Sequence, residues 1–169
     1  MPEPLNLQDE YPDTKDLSRD AYSLRIISPA YASSVGELNT TLQYVYHSFF
    51  FEKEGYNEIS KTLMRIAVAE MYHFQLLGKT ILALGVAPVY TQFPPSNFNF
   101  YSAKYVSYSR TLKDMLEDDL LGERHAVSSY SKMLKCLKNQ SVIKIIGRIL
   151  EDEKLHVATL EKILSEFKG

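Results

Sequence analysis

The chain contains no tryptophan and only one cysteine, Cys136. An intramolecular disulfide, a CxxC metal knuckle and a dithiol redox pair are therefore all excluded. Thiol poverty of this kind fits a reducing compartment. Nowhere is there an uninterrupted apolar run of the roughly 18 residues that a membrane span needs. Charge of either sign is in little excess. The formal net charge of −2 argues against general affinity for nucleic acid or an anionic membrane. The first ten residues, Met-Pro-Glu-Pro-Leu-Asn-Leu-Gln-Asp-Glu, have neither a basic start nor an apolar stretch. That does not read as a secretory signal, and a cytoplasmic location is expected. No alternating apolar–polar stretch reads as a strand. What remains is 169 residues, 45% apolar, with twelve tyrosines and eight phenylalanines. This is a single-domain length with material for one substantial core.

Residues 1–15 carry three prolines and four acids and read as an extended arm, with a short helix expected over Asp16 to Ile27. Ser28-Pro29 reads as a helix start, Ser as N-cap and Pro in the first helical position. An unbroken helical pattern should run from there to Glu54, with Gly55 in the left-handed closing position. A second helix is expected from Asn57 to Leu84, closed by Gly85 and Pro88. The stretch from 85 to about 100, with Pro94, Pro95, Ser96, Asn97 and Asn99, reads as a long irregular crossover. A third helix should begin near Ser102 or Ser109 and end at Lys138. Asn139-Gln140 forms a turn, and a fourth helix capped by Ser141 runs to Phe167. Short loops force antiparallel neighbours, so the expected fold is all-α: a four-helix bundle of two antiparallel pairs joined by one long crossover. It comprises an N-terminal arm over 1–27 and a bundle over 28–168.

The chain also repeats itself. Gly36-Glu37 is followed seven residues later by Tyr44, and Gly122-Glu123 seven residues later by Tyr130. Each half then carries one Glu-x-x-His, Glu70…His73 and Glu153…His156. Residues three apart on a helix share a face, so one helix can offer a carboxylate and an imidazole to the same point. The midpoint of 37 and 70 falls beside the Glu54-Gly55 turn, and that of 123 and 153 beside Asn139-Gln140. In antiparallel hairpins, that symmetry puts all four glutamates at one height. Four carboxylates converging in an apolar interior would repel one another, and two divalent cations would neutralise them. Carboxylate and imidazole without thiolate suit iron or manganese better than structural zinc. One Glu-x-x-His is weak evidence, but two in turn-symmetric register are hard to obtain by chance.

Other residues have plainer readings. His47 and His125 fall off this pattern and are expected at the surface or rim. Cys136 should be a small core or boundary residue, and Glu117-Asp118-Asp119 a solvated helix face, although Asp119 lies one turn before Glu123. Asp152 could orient a histidine across the bundle through its outer ring nitrogen. Phe49-Phe50-Phe51 and the Tyr101, Tyr105, Tyr108 series read as packing.

The order E, ExxH, E, ExxH resembles the ferritin-like superfamily of di-metal carboxylate proteins. The segment GELNTTLQYVYHSFFFEKEGYNEIS followed by AEMYH resembles the first helical pair of rubrerythrins, and GERHAVSSY followed by DEKLH also resembles small manganese-catalase relatives. The likeness covers 28–168, while 1–27 has no counterpart. It implies that Glu37, Glu70, His73, Glu123, Glu153 and His156 ligate two iron or two manganese ions, with Glu70 and Glu153 bridging. It also implies that Tyr44 and Tyr130 hydrogen-bond to ligand glutamates. Ala126 stands where rubrerythrins carry an additional glutamate, and the single cysteine excludes their rubredoxin domain. The implied activity is oxidoreduction of hydrogen peroxide or dioxygen, either disproportionation of peroxide on manganese or peroxide reduction on iron with an external electron donor. The alternative is an iron-binding or storage protein with ferroxidase activity. A homodimer is the simplest assembly.

Overall fold

A computed structural model of the protein describes residues 2–91 and 100–168. Its elements are α1 (Ala21–Ala32), α2 (Glu37–Lys53), α3 (Asn57–Ala83), α4 (Leu112–Cys136) and α5 (Gln140–Glu166), with a 3-10 turn at Ala103–Tyr105. There is no strand among the described residues, and one isolated bridge joins Thr91 and Phe100. Helices α2 and α3 form one tightly packed hairpin and α4 and α5 the other. The expected crossover prolines Pro94 and Pro95, with Ser96, Asn97 and Asn99, lie outside the described residues. Among the described residues, no helix is long and apolar enough to cross a membrane.

Tight caps account for most boundaries. Gly55 adopts φ +84°, and Tyr56 N–H reaches back to Phe51 O at 2.8 Å, closing α2 as a left-handed C-terminal motif. Thr111 caps α4 by accepting from Asp114 N–H, which places the start of that helix three residues beyond Ser109. Asn139, not Ser141, caps α5, its side chain accepting from the amides of Ser141 and Val142.

The largest difference from the sequence expectation is at the start. Ser28-Pro29 does not open a helix. Asp20 does, accepting from Tyr22 N–H and Ser23 N–H, and Pro29 lies inside the last turns of α1. A proline there removes one helical hydrogen bond, and the helix ends three residues later. The pattern expected to run unbroken to Glu54 is therefore interrupted at Ser33–Gly36. Gly36 is needed at this break: a Cβ on it would meet Ala30 O at 2.7 Å and Pro29 O at 2.9 Å. The matching Gly122 would meet nothing within 4 Å.

The interior has two apolar clusters. One gathers α1, the C-terminal part of α3 and the facing ends of α4 and α5, around Ile27, Leu77, Ile145 and Ile149. The other gathers Phe51, Leu63, Ile66, Leu116 and Leu160. Between them lies a layer of buried acids and histidines.

Candidate metal centre

Glu37 opens α2, Glu70 and His73 lie midway along α3, Glu123 midway along α4, and Glu153 and His156 midway along α5. All six are buried. They form two overlapping groups, Glu37–Glu70–His73–Glu153 and Glu70–Glu123–Glu153–His156. Within each group, one ligating atom from every residue lies within 4.8 Å of the others. Glu70 and Glu153 belong to both groups, and Glu37 and Glu123 to one each.

Local structure explains the convergence. The i,i+3 spacing puts Glu and His of α3, and Glu and His of α5, on the inner faces of their helices. The symmetric hairpins then bring the four glutamates to one level. His73 Nδ1 lies 3.0 Å from Glu153 Oε1 and 3.3 Å from Glu70 Oε2. His156 Nδ1 lies 2.8 Å from Glu70 Oε1.

Polar satisfaction tests whether such a set fits metal. Among the described residues, Glu70 Oε1, Glu123 Oε2, Glu153 Oε1 and His156 Nδ1 are buried without a hydrogen-bond partner. Several are close to one another but not aligned for hydrogen bonding, so their lone pairs converge on shared points. Orphaned buried acceptors are costly, and two divalent cations would satisfy all of them while balancing four carboxylates. The buried carboxylate and histidine clusters fit a di-metal site.

Electrostatics agree. Burial raises Glu37 and Glu153 well above the usual carboxylate range, reinforced by the facing carboxylates, Glu70 first among them. For Glu70, burial acts upward too but is outweighed by hydrogen bonding to Glu37 and by His73 and His156, so it falls well below that range. Burial lowers His73 and His156, yet the carboxylates around them outweigh it and raise both well above the usual imidazole value. Metal entering such a cage would displace the protons that these shifts favour.

The two tyrosines act reciprocally. Tyr44 of α2 donates to Glu123 of α4, and Tyr130 of α4 donates to Glu37 of α2. Burial, then the adjacent glutamate, raises both phenols well above their usual range, so they stay protonated donors.

The outer nitrogens of the histidines differ. His73 Nε2 lies 3.0 Å from Asp152 Oδ2, as the sequence suggested. His156 Nε2 lies 2.7 Å from the backbone carbonyl of Leu5, a partner that sequence reading missed. The available signal was that Ala69, the counterpart of Asp152, has no acceptor to offer.

His47 is a correction. Expected at the rim, it is fully buried, its Nδ1 2.9 Å from Asp119 Oδ1 and its Nε2 3.1 Å from Ser107 O. Asp119 is accordingly buried rather than solvated. The missed signal was position: His47 lies three residues after Tyr44, on the same inner face. His125 is exposed, as expected. Cys136 is exposed rather than packed, because it ends α4.

The family model Ferritin, a ferritin-like domain, matches residues 35–169. The chain belongs to the ferritin-like domain family. A bacterioferritin from Desulfovibrio desulfuricans is 25% identical over 155 residues, 90% of this chain and 81% of that protein. The crystal structure of KatB, a manganese catalase from Anabaena, superposes with a TM-score of 0.78 at 21% identity, covering 99% of this chain and 82% of KatB. The D. desulfuricans bacterioferritin structure, described with a diiron site, gives a TM-score of 0.71 at 26% identity over 86% of this chain and 80% of its own. Identity to KatB is low enough that this likeness speaks to the ferritin-like fold alone.

Proposed function

We propose that the protein is a di-iron or di-manganese oxidoreductase acting on hydrogen peroxide or dioxygen, with Glu37, Glu70, His73, Glu123, Glu153 and His156 as the metal ligands. The carrying observation is the pair of overlapping four-residue groups that share Glu70 and Glu153. When bound, the metals supply one-electron redox steps and Lewis acidity. The chain's own residues do the rest. Tyr44 holds one oxygen of Glu123 and Tyr130 one oxygen of Glu37, fixing these carboxylates against rotation. Asp152 and the Leu5 carbonyl keep the Nε2 proton on each histidine, leaving each Nδ1 directed inward. The two apolar clusters exclude bulk water from the layer between them.

Access also supports a small oxidant. A cavity of about 30 Å3 lined by Pro29, Val35, Glu37, Thr40, Ala126 and Tyr130 abuts the Glu37 carboxylate. It exceeds the ~10–15 Å3 needed for one water and suits a peroxide-sized molecule. In this reading the protein works in the cytoplasm as a homodimer, and the iron form draws on an external electron donor.

The first test is iron and manganese content per chain of native protein purified without chelator, with peroxide consumption assayed on the same sample. About two manganese with donor-free oxygen release supports catalase chemistry; about two iron with donor-dependent peroxide loss supports peroxidase chemistry. Failure to take up either metal would overturn both.

The second reading is an iron-binding protein with ferroxidase activity, favoured by the bacterioferritin similarity over 90% of this chain. Size-exclusion chromatography separates the two: a shell of about 12 or 24 copies supports storage, and a dimer supports the enzyme.

A further inference from the structure

Residues 3–11 run along the outside of the bundle without helix or strand, and their hydrogen bonds reach His156 directly and His73 through Asp152. Leu5 places its carbonyl on His156 Nε2 at 2.7 Å, while its own N–H donates to Arg65 O at 3.0 Å. Two residues on, Leu7 N–H donates to Asp152 Oδ1 at 2.8 Å. Tyr11 O–H donates to Asp152 Oδ2 at 2.7 Å, the same oxygen that faces His73. Arg148 ties these together. It pairs with Asp152 at 2.6 Å, donates to the carbonyls of Leu7 and Asp9 at 2.8 and 3.0 Å, and lies 4.4 Å from the centre of the Tyr11 ring.

We propose that this N-terminal segment is a strap that locks both histidines from outside and so controls how readily metal leaves and enters the centre, an inference that rests on the di-metal reading above. The physical basis is an asymmetry of attachment. The six candidate ligands sit on four long, mutually packed helices, whereas no residue from Pro2 to Asp16 is fully buried. The strap is held chiefly by hydrogen bonds at its edge, with Leu5 and Tyr11 only packing partly against the two clusters. A groove of about 330 Å3 opens between Tyr11–Lys15 and the Tyr72–Lys79 face of α3. Segments with few buried contacts open at far lower cost than the core they cover. Lifting the strap would take the acceptor from His156 and two donors from Asp152, leaving the helices in place. Outer partners of this kind hold the ring orientation and tautomer on which metal affinity depends.

The test uses the full chain loaded with manganese and mixed with excess chelator, following metal release over time. Arg148→Gln, which loses both strap carbonyls and the Asp152 pair, should release metal about tenfold faster than wild type. Tyr11→Phe should show a smaller acceleration. Arg124→Gln, which loses the surface pair with Glu161, should release at the wild-type rate. Visible bands of the cobalt-loaded protein, which report imidazole geometry, should shift in Arg148→Gln and not in Arg124→Gln. Equal thermal midpoints of the metal-free variants would show that the helices are not themselves loosened. Wild-type release rates and unshifted cobalt bands in both strap variants would overturn the strap while leaving the di-metal reading intact. A wild-type protein that takes up no metal overturns the di-metal reading, and the strap with it.

Discussion

The two halves of the centre are built from the same motif and completed in different ways. On one side, His73 leans on Asp152, a side chain inside α5 that gathers hydrogen bonds from Arg148, Leu7 N–H and Tyr11. Burial pushes the Asp152 carboxyl up, but His73, Arg148 and these donors outweigh it and hold it at about 2. On the other side, His156 leans on a peptide carbonyl more than 140 residues away in sequence. The first arrangement is fixed by a helix, the second by a segment outside every helix. A repeat can therefore conserve its inner ligands while each half recruits its outer support from whatever lies nearby.

The broadest way to break this comparison is through the shared glutamates. Replacing Glu70 or Glu153 by Ala should lower bound metal from about two per chain to near none, whereas Glu37→Ala or Glu123→Ala should leave about one, because each belongs to one half only. Metal analysis of the purified variants reads this directly. Equal losses from all four would show that the halves do not bind separately.

Removing metal should lower the thermal midpoint by roughly 10 °C, taking about 4 kcal/mol of linked binding energy and the usual shift per kcal/mol for a chain of this size. The metal-free protein should then lose further stability as pH rises above about 4.3, where Glu37 and Glu153 come into play, and more steeply above about 6.5, where the histidines join them. The sign follows from the raised groups. Glu37, Glu153, His73 and His156 bind protons more tightly in the folded state. Their contribution is therefore complete at low pH and lost as pH climbs through their folded values. Glu70, which is lowered, acts oppositely and below the ordinary carboxylate range. Calorimetry across pH with and without metal checks both parts; a metal-free midpoint that rises with pH would contradict them.

Asp152→Ala sharpens the contrast between the halves. It should weaken metal binding at the His73 side by about 10–100-fold and, because Leu7 N–H and Tyr11 lose the acceptor that anchors them, weaken the His156 side less, seen as two separated phases in metal titration.

The smallest effect concerns the two glycines of the repeat. Gly36→Ala drives a methyl into the carbonyls of Ala30 and Pro29 and should cost about 1–3 kcal/mol. Gly122→Ala, mid-helix and open, should be neutral or stabilise by up to about 1 kcal/mol. Denaturant midpoints of both variants decide it.

Much of the architecture is legible in the amino-acid sequence, because it depends on local regularities. The i,i+3 pairs place Glu70 with His73 and Glu153 with His156 on any helix. The Gly55 and Asn139 turns set antiparallel pairing, and equal distances from those turns bring Glu37 and Glu123 level with their partners. Features set by competition between neighbouring signals are less legible. Ser28-Pro29 has the composition of a helix start, but Asp20, with its side chain accepting two backbone amides, begins the helix earlier. The chain instead breaks at Ser33–Gly36, where Gly36 fits beneath the carbonyls of α1.

By itself, then, the sequence determined which six side chains could meet, since helical period and turn position are properties of short stretches. Only the tertiary structure decided what stands behind them. Leu5 acts through a backbone carbonyl, a group every residue possesses, so no residue type marks it out. His47 and Asp119 lie on different helices and pair only when α2 and α4 pack. Tyr44 and Tyr130, which the resemblance tied to ligand glutamates without saying which, each reach one on the opposite hairpin. Such contacts depend on where distant segments come to rest, which no local pattern encodes.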